Sequence, residues 1–149
     1  MAEPDVAAII NNYKVIAIVG MSATIGKPSH RVGAYLKQHG YQIIPVNPTI
    51  DKVFGIKSYR SLLDIPEHIA KTIEVVDLFR KPEDVPPVVD QAIQLRQKYG
   101  RLAVVWMQLG IKNEQAAEAA LKAGLTVVMD KCMMVERRHL TEKPQEPND

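Results

Sequence analysis

With 149 residues, 46% hydrophobic and 24% charged, the chain has the size and composition of one ordinary globular domain with room for a real core. A net charge of +2 favours no polyanionic partner, and 5% aromatic residues give no aromatic-and-basic pattern for nucleic acid. No apolar run approaches the roughly 20 residues that cross a bilayer, and Met1–Asp5 is acidic where a signal peptide is basic and then apolar, so a cytoplasmic protein with no membrane partner is expected.

An amphipathic helix is expected from about Pro4 to Tyr13. Short apolar runs, rich in β-branched residues and bounded by polar or turn residues, then mark buried parallel strands at Val15–Val19, Ile43–Val46, Ile73–Phe79, Leu102–Met107 and Leu125–Met129. Helical stripes lie between them: Val32, Tyr35, Leu36 and His39; Val85, Val88, Val89, Ala92 and Ile93; Ala116, Ala117, Ala120 and Leu121. Ser29 and Asn113 are N-cap candidates, and Gly40, Gly100 and Gly124 each stand between a helix and the next strand. This rhythm predicts an α/β, Rossmann-like, doubly wound sheet of five parallel strands with flanking helices. Asp51–Lys71 is less regular, with one helical turn expected near Ser61–Leu63. Residues 1–140 are expected to form a single domain, and the polar stretch 141–149, with its two prolines, a disordered tail.

Ligands of an open parallel sheet bind beyond the carboxyl ends of its strands, where strand order reverses. The loops at that edge carry Lys27, Arg31, Lys52, Arg80, Lys81 and Lys131 against Asp51, Glu83 and Asp130. A near-neutral chain with cations gathered on one edge suits a multiply phosphorylated small molecule. The loop from Gly20 to Arg31 joins a strand to a helix start and can turn backbone N–H groups toward a phosphate. It lacks Gly-x-Gly-x-x-Gly, and Asn47 follows the second strand in place of a ribose-binding acid, which disfavours NAD. Gly20 to Gly26-Lys27 is one residue too long for a P-loop and Pro28 replaces its Ser or Thr, so Asp77 is not expected to serve a magnesium site. No Gly-x-Ser-x-Gly elbow occurs. One cysteine, Cys132, excludes an internal disulfide, and His30, His39, His68 and His139 show no ligand spacing, so no metal is expected.

Several blocks together carry a family resemblance. They are Ala17-Ile-Val-Gly-Met-Ser, Lys27-Pro-Ser-His-Arg-Val, Gly40-Tyr-Gln-Ile-Ile-Pro-Val-Asn-Pro48, Val76-Asp-Leu-Phe-Arg-Lys-Pro-Glu, Val105-Trp-Met-Gln-Leu-Gly-Ile, Asn113-Glu and Met129-Asp-Lys-Cys-Met-Met-Val-Glu. In these, over residues 10–140, the chain resembles the small stand-alone CoA-binding proteins, themselves similar to the N-terminal domain of the succinyl-CoA synthetase α-subunit. The resemblance implies a CoA or short acyl-CoA ligand. Gly20, Met21, Ser22, Lys27, Ser29, His30 and Arg31 would meet phosphate, and Pro45, Val46, Asn47 and Pro48 would line the nucleotide. Phe79 and Arg80 would cover it, and Gln108 and Gly110 would border the pantetheine path.

The region that carries the synthetase's phosphorylated histidine has no counterpart here, so a binding module without complete catalytic machinery and without catalytic residues is expected. Alternatives are a subunit or partner of an acyl-CoA-handling enzyme and, more weakly, an NAD-binding regulator. A homodimer or an enzyme partner stays open.

Overall fold

A computed structural model describes residues 3–141. In chain order the elements are helix α1 (Val6–Asn12), strand β1 (Val15–Val19), α2 (Pro28–Gln38), β2 (Gln42–Val46), β3 (Lys52–Val53), β4 (Ile56–Lys57) and α3 (Glu67–Ala70). There follow β5 (Val75–Leu78), α4 (Val85–Tyr99), β6 (Val104–Met107), α5 (Glu114–Lys122), β7 (Thr126–Val128) and α6 (Met133–Thr141). Five strands form one sheet in the order β2-β1-β5-β6-β7, every pair parallel. The chain leaves β1 toward β2 on one side and returns to β5 on the other, so β1 and β5 flank the point where strand order reverses. The loops that follow these two strands diverge there, which opens a crevice at their carboxyl ends.

Both faces of the sheet are covered, which explains the near-continuous apolar strands. Ala17, Val19, Val76, Leu78, Val105 and Met107 point to one side, where they pack with Val89, Ala92 and Leu95 of α4 and Ala116, Ala117 and Ala120 of α5. Ile16, Ile18, Val75, Val104 and Trp106 point to the other, against Ile9 and Ile10 of α1, Val32 and Leu36 of α2, and Met133 of α6. This is the alternation of a strand read across both faces, and burial of these side chains on two sides is the main stabilising term.

The elements fall close to the sequence expectation, with local differences. The strands expected at Ile73–Phe79, Leu102–Met107 and Leu125–Met129 are shorter, and Asn113 caps α5 as expected by accepting the Ala116 N–H at 2.9 Å. Ser29 is not an N-cap. Pro28, with its fixed φ and no N–H, takes the first helical position of α2, so Lys27 holds the cap position and Ser29 lies inside the helix. The irregular stretch contains a single 3₁₀ turn at Leu62–Asp64, helix α3 and a two-stranded β3–β4 ladder. Thr141 closes α6, and the remainder of the expected tail, 142–149, lies outside the described residues. Among the described residues no helix is long and apolar enough to cross a membrane.

Candidate functional site

The crevice at the strand reversal is a cleft of ≈ 700 Å³, within the range of small-molecule and cofactor sites. Its lining combines the β1–α2 loop and start of α2 (Gly20, Ser22, Lys27, Ser29, Arg31), the end of β5 (Phe79, Arg80), the β6 loop (Gln108, Leu109, Ile111) and the start of α6 (Cys132, Met134, Val135).

The β1–α2 loop is braced from within. Gly20 has φ 87°, and its N–H bonds the Val46 carbonyl at 2.7 Å. A Cβ at Gly20 would collide with the Phe79 carbonyl oxygen, so glycine lets the two diverging chains lie side by side at the strand reversal. The buried Ser29 hydroxyl accepts the Ser22 N–H at 2.9 Å, and the Ser22 hydroxyl accepts the Thr24 N–H at 3.0 Å. The first-turn N–H groups of α2 have no upstream carbonyl in the helix and are available to an anion.

Among the described residues, Lys27, Arg31 and Arg80 are the cations of the cleft, and the lining holds no carboxylate. None of the three forms an ion pair among the described residues. The other rim cations are placed differently: Lys131 pairs with Glu136 at 3.7 Å, and Lys52 and Lys81 do not line the cleft. The loop after β6 and the start of α6 add apolar wall through Leu109, Ile111, Met134 and Val135. The cations suit phosphate, and the apolar wall suits an uncharged chain.

The structure brings Gly20, Ser22, Lys27, Ser29, Arg31, Phe79, Arg80 and Gln108 to this cleft. It sets the remaining candidates apart from its lining. Met21 is fully buried beneath Gly33, and Pro45 and Val46 are buried in β2. The Asn47 amide donates to the Met21 carbonyl at 3.0 Å while its oxygen accepts the Thr49 N–H, which makes it a brace for the β1 loop. Pro48 lines a separate depression with Asp51 and Tyr59. His30 lies with its ring 4.8 Å from that of Phe54, and the Gly110 N–H bonds Asp130 at 2.7 Å.

Sequence reading did not place Val32, Leu109, Ile111, Met134 and Val135 in the site. The periodicity of Leu109 and Ile111 ends with β6. The walls supplied by Met134 and Val135 depend on α6 folding back over the sheet edge, a tertiary event with no local signal. Among the described residues no group of three or more His, Cys, Asp or Glu is arranged to hold a metal ion.

Residues 14–138, most of the chain, match the family described as CoA binding domain. The chain belongs to the CoA binding domain family. This family member is 35% identical over 134 residues to the uncharacterized protein YneT of Bacillus subtilis, covering 90% of this chain and 93% of that one. It is 37% identical over 83 residues to the ADP-forming acetate–CoA ligase II of Archaeoglobus fulgidus, a match to 54% of this chain and 12% of the ligase. A hypothetical protein from Pyrococcus horikoshii superposes with a TM-score of 0.83 at 39% identity, covering 95% of this chain and 99% of that one. Family and five-stranded fold thus agree with the sequence reading.

Proposed function

We propose that the cleft binds coenzyme A or a short acyl-CoA, with the phosphates against Lys27, Arg31, Arg80 and the start of α2. The pantetheine arm then passes Gln108 toward Leu109, Ile111, Met134 and Val135. The observation that carries this reading is the mixed character of one continuous cleft, in which the β1 and β5 loops and the start of α2 bring three cations without ion-pair partners among the described residues, and the β6 loop and α6 bring an apolar wall. A multiply phosphorylated head on a mostly uncharged arm matches that combination. Membership of the CoA binding domain family supports the ligand class.

In this reading the chain binds and presents its ligand, and no residue is assigned to catalysis. A second reading, part of an assembly that handles acyl-CoA, draws on the similarity to a segment of an ADP-forming acetate–CoA ligase. Titration calorimetry with CoA, dephospho-CoA and NAD tests the ligand. CoA is expected to bind most tightly, since each charge-assisted contact contributes about 1.5–3 kcal/mol, or about tenfold or more in affinity. Lys27→Ala with Arg31→Ala is expected to weaken CoA by several kcal/mol, with some non-additivity because both can meet one phosphate. Equal or tighter binding of NAD, or full CoA affinity in the double variant, removes this assignment.

A further inference from the structure

Cys132 is half-buried, and it lines the cleft where α6 begins, next to Met134 and Val135. Three hydrogen bonds hold the main chain around it. The Lys131 carbonyl accepts the Trp106 indole N–H at 2.8 Å, the Cys132 carbonyl accepts the Glu136 N–H at 2.9 Å, and the Met133 N–H donates to Gln108 Oε1 at 3.1 Å. Two side chains from β6 and its end thus fix where this thiol stands, since Trp106 is the penultimate residue of β6 and Gln108 follows the strand.

Gln108 supplies an independent observation that points to a ligand. Its side chain lies in the cleft wall and is only 3% exposed. The bond from Met133 N–H requires an oxygen, which orients the carboxamide and leaves the Nε2 group as a donor. Nε2 has no hydrogen-bond partner among the described residues, and it is not sealed from solvent as the Asp77 oxygens are. A nearly buried amide donor left open in a cleft calls for an acceptor on the occupant. Cys132, one residue before Met133, lines the same cleft. The occupant that satisfies both is a chain with an amide carbonyl that ends in sulfur.

We propose that Cys132 is a thiol–disulfide exchange site for oxidised coenzyme A, with Gln108 Nε2 positioning the pantetheine carbonyl. This rests on the CoA reading of the cleft. The Cys132 sulfur attacks one sulfur of CoA disulfide, and a Cys132–S–S–CoA bond forms as the S–S bond of the reagent breaks. The second CoA leaves as its thiol and carries the proton that Cys132 gives up. CoA disulfide is the oxidant, and a small-molecule thiol reverses the step. The protein then holds CoA covalently under oxidising conditions and non-covalently under reducing ones.

The test pairs intact-mass measurement of the whole chain after incubation with CoA disulfide with calorimetry of reduced CoA. The parent is expected to gain the mass of one CoA less two hydrogens and to lose it on reduction. Cys132→Ser is expected to gain nothing under the same conditions. Labelling by CoA disulfide is expected to outpace labelling by glutathione disulfide by about tenfold or more, because the nucleotide end raises the local concentration of the reagent. Gln108→Glu keeps an oxygen for Met133 and lacks the donor, and it is expected to lower that ratio. CoA binding without an adduct, or equal rates for the two disulfides, overturns the proposal and leaves the CoA reading intact. Absence of CoA binding in calorimetry overturns both.

Discussion

Asp77 sits in β5, fully buried, and neither of its carboxylate oxygens has a hydrogen-bond partner among the described residues. Burial pushes its carboxyl well above the ordinary value of 3.8, and the neighbouring Leu78 N–H only partly opposes this without reaching hydrogen-bonding geometry. The folded state therefore holds the proton at a pH where the unfolded chain has released it. Stability contributed by the neutral acid is greatest below about pH 3.8 and falls as pH rises toward the folded-state pKa, by up to about 1.4 kcal/mol per pH unit. Subtracting the denaturation curves of Asp77→Asn from those of the parent is expected to isolate this slope; identical pH profiles would show the carboxyl to be partnered or exposed. Gly20 works through space rather than charge. Gly20→Ala places a Cβ against the Phe79 carbonyl oxygen at φ 87°, whereas Gly26→Ala, at φ 96°, meets nothing within 4 Å among the described residues. Both carry the left-handed strain of about 1–3 kcal/mol, and only the first adds a backbone clash. Thermal melting is expected to rank Gly20→Ala clearly below Gly26→Ala, and equal melting points would remove the close-approach argument.

Elements meet the site through their ends. Asn113 accepts the Ala116 N–H at 2.9 Å to cap α5, and its amide donates to the Pro82 carbonyl at 2.9 Å, which ties α5 to the loop that follows β5. Asn113→Ala loses both bonds and is expected to cost about 1–2 kcal/mol in urea denaturation; Asn113→Asp keeps the cap, loses the tie and should fall between. If aspartate were as damaging as alanine, the Pro82 bond would carry the stability and the cap little. The five strands were legible because helices bury both faces, so Val15–Val19 or Val104–Met107 reads as an unbroken apolar run. Their ends were less legible. Phe79 keeps its N–H on the Val19 carbonyl at 2.9 Å but lies beyond the strand, since the chain is already turning away at the reversal. Ser29 has the composition of a cap, yet Pro28 decides where α2 begins. The sequence also located the edge on which Lys27, Arg31 and Arg80 gather, because each strand is followed by its own loop. It did not show that Asn47 would turn inward to brace Met21, since either role suits an asparagine after a strand.

At the scale of the whole molecule, a net charge of +2 hides an uneven distribution. Among the described residues, the cations that line the cleft face no carboxylate in its wall, whereas Lys112, Lys122 and Lys131 are matched elsewhere by Glu114, Glu118 and Glu136. A polyanion in the cleft would touch loops from β1, β5 and β6 and the start of α6, all of which must be folded for the site to exist. Binding is therefore linked to global stability. At a hundred times its Kd, CoA is expected to stabilise the fold by about 2.7 kcal/mol, which for a chain of this length is a rise in melting temperature of about 5–10 °C. The charges set the salt response of that rise. Raising ionic strength from about 0.1 to 1 M shortens the screening length from about 10 to 3 Å, so the CoA-induced rise at fixed CoA concentration should shrink in the parent. It should be small and nearly salt-independent in the Lys27→Ala/Arg31→Ala variant, whose ligand-free melting temperature should match the parent's because both side chains are exposed. Thermal melts of the two proteins with and without CoA at low and high salt measure all of this at once. A CoA-induced rise in the parent that salt leaves unchanged would mean that the apolar wall, and not the cations, holds the ligand.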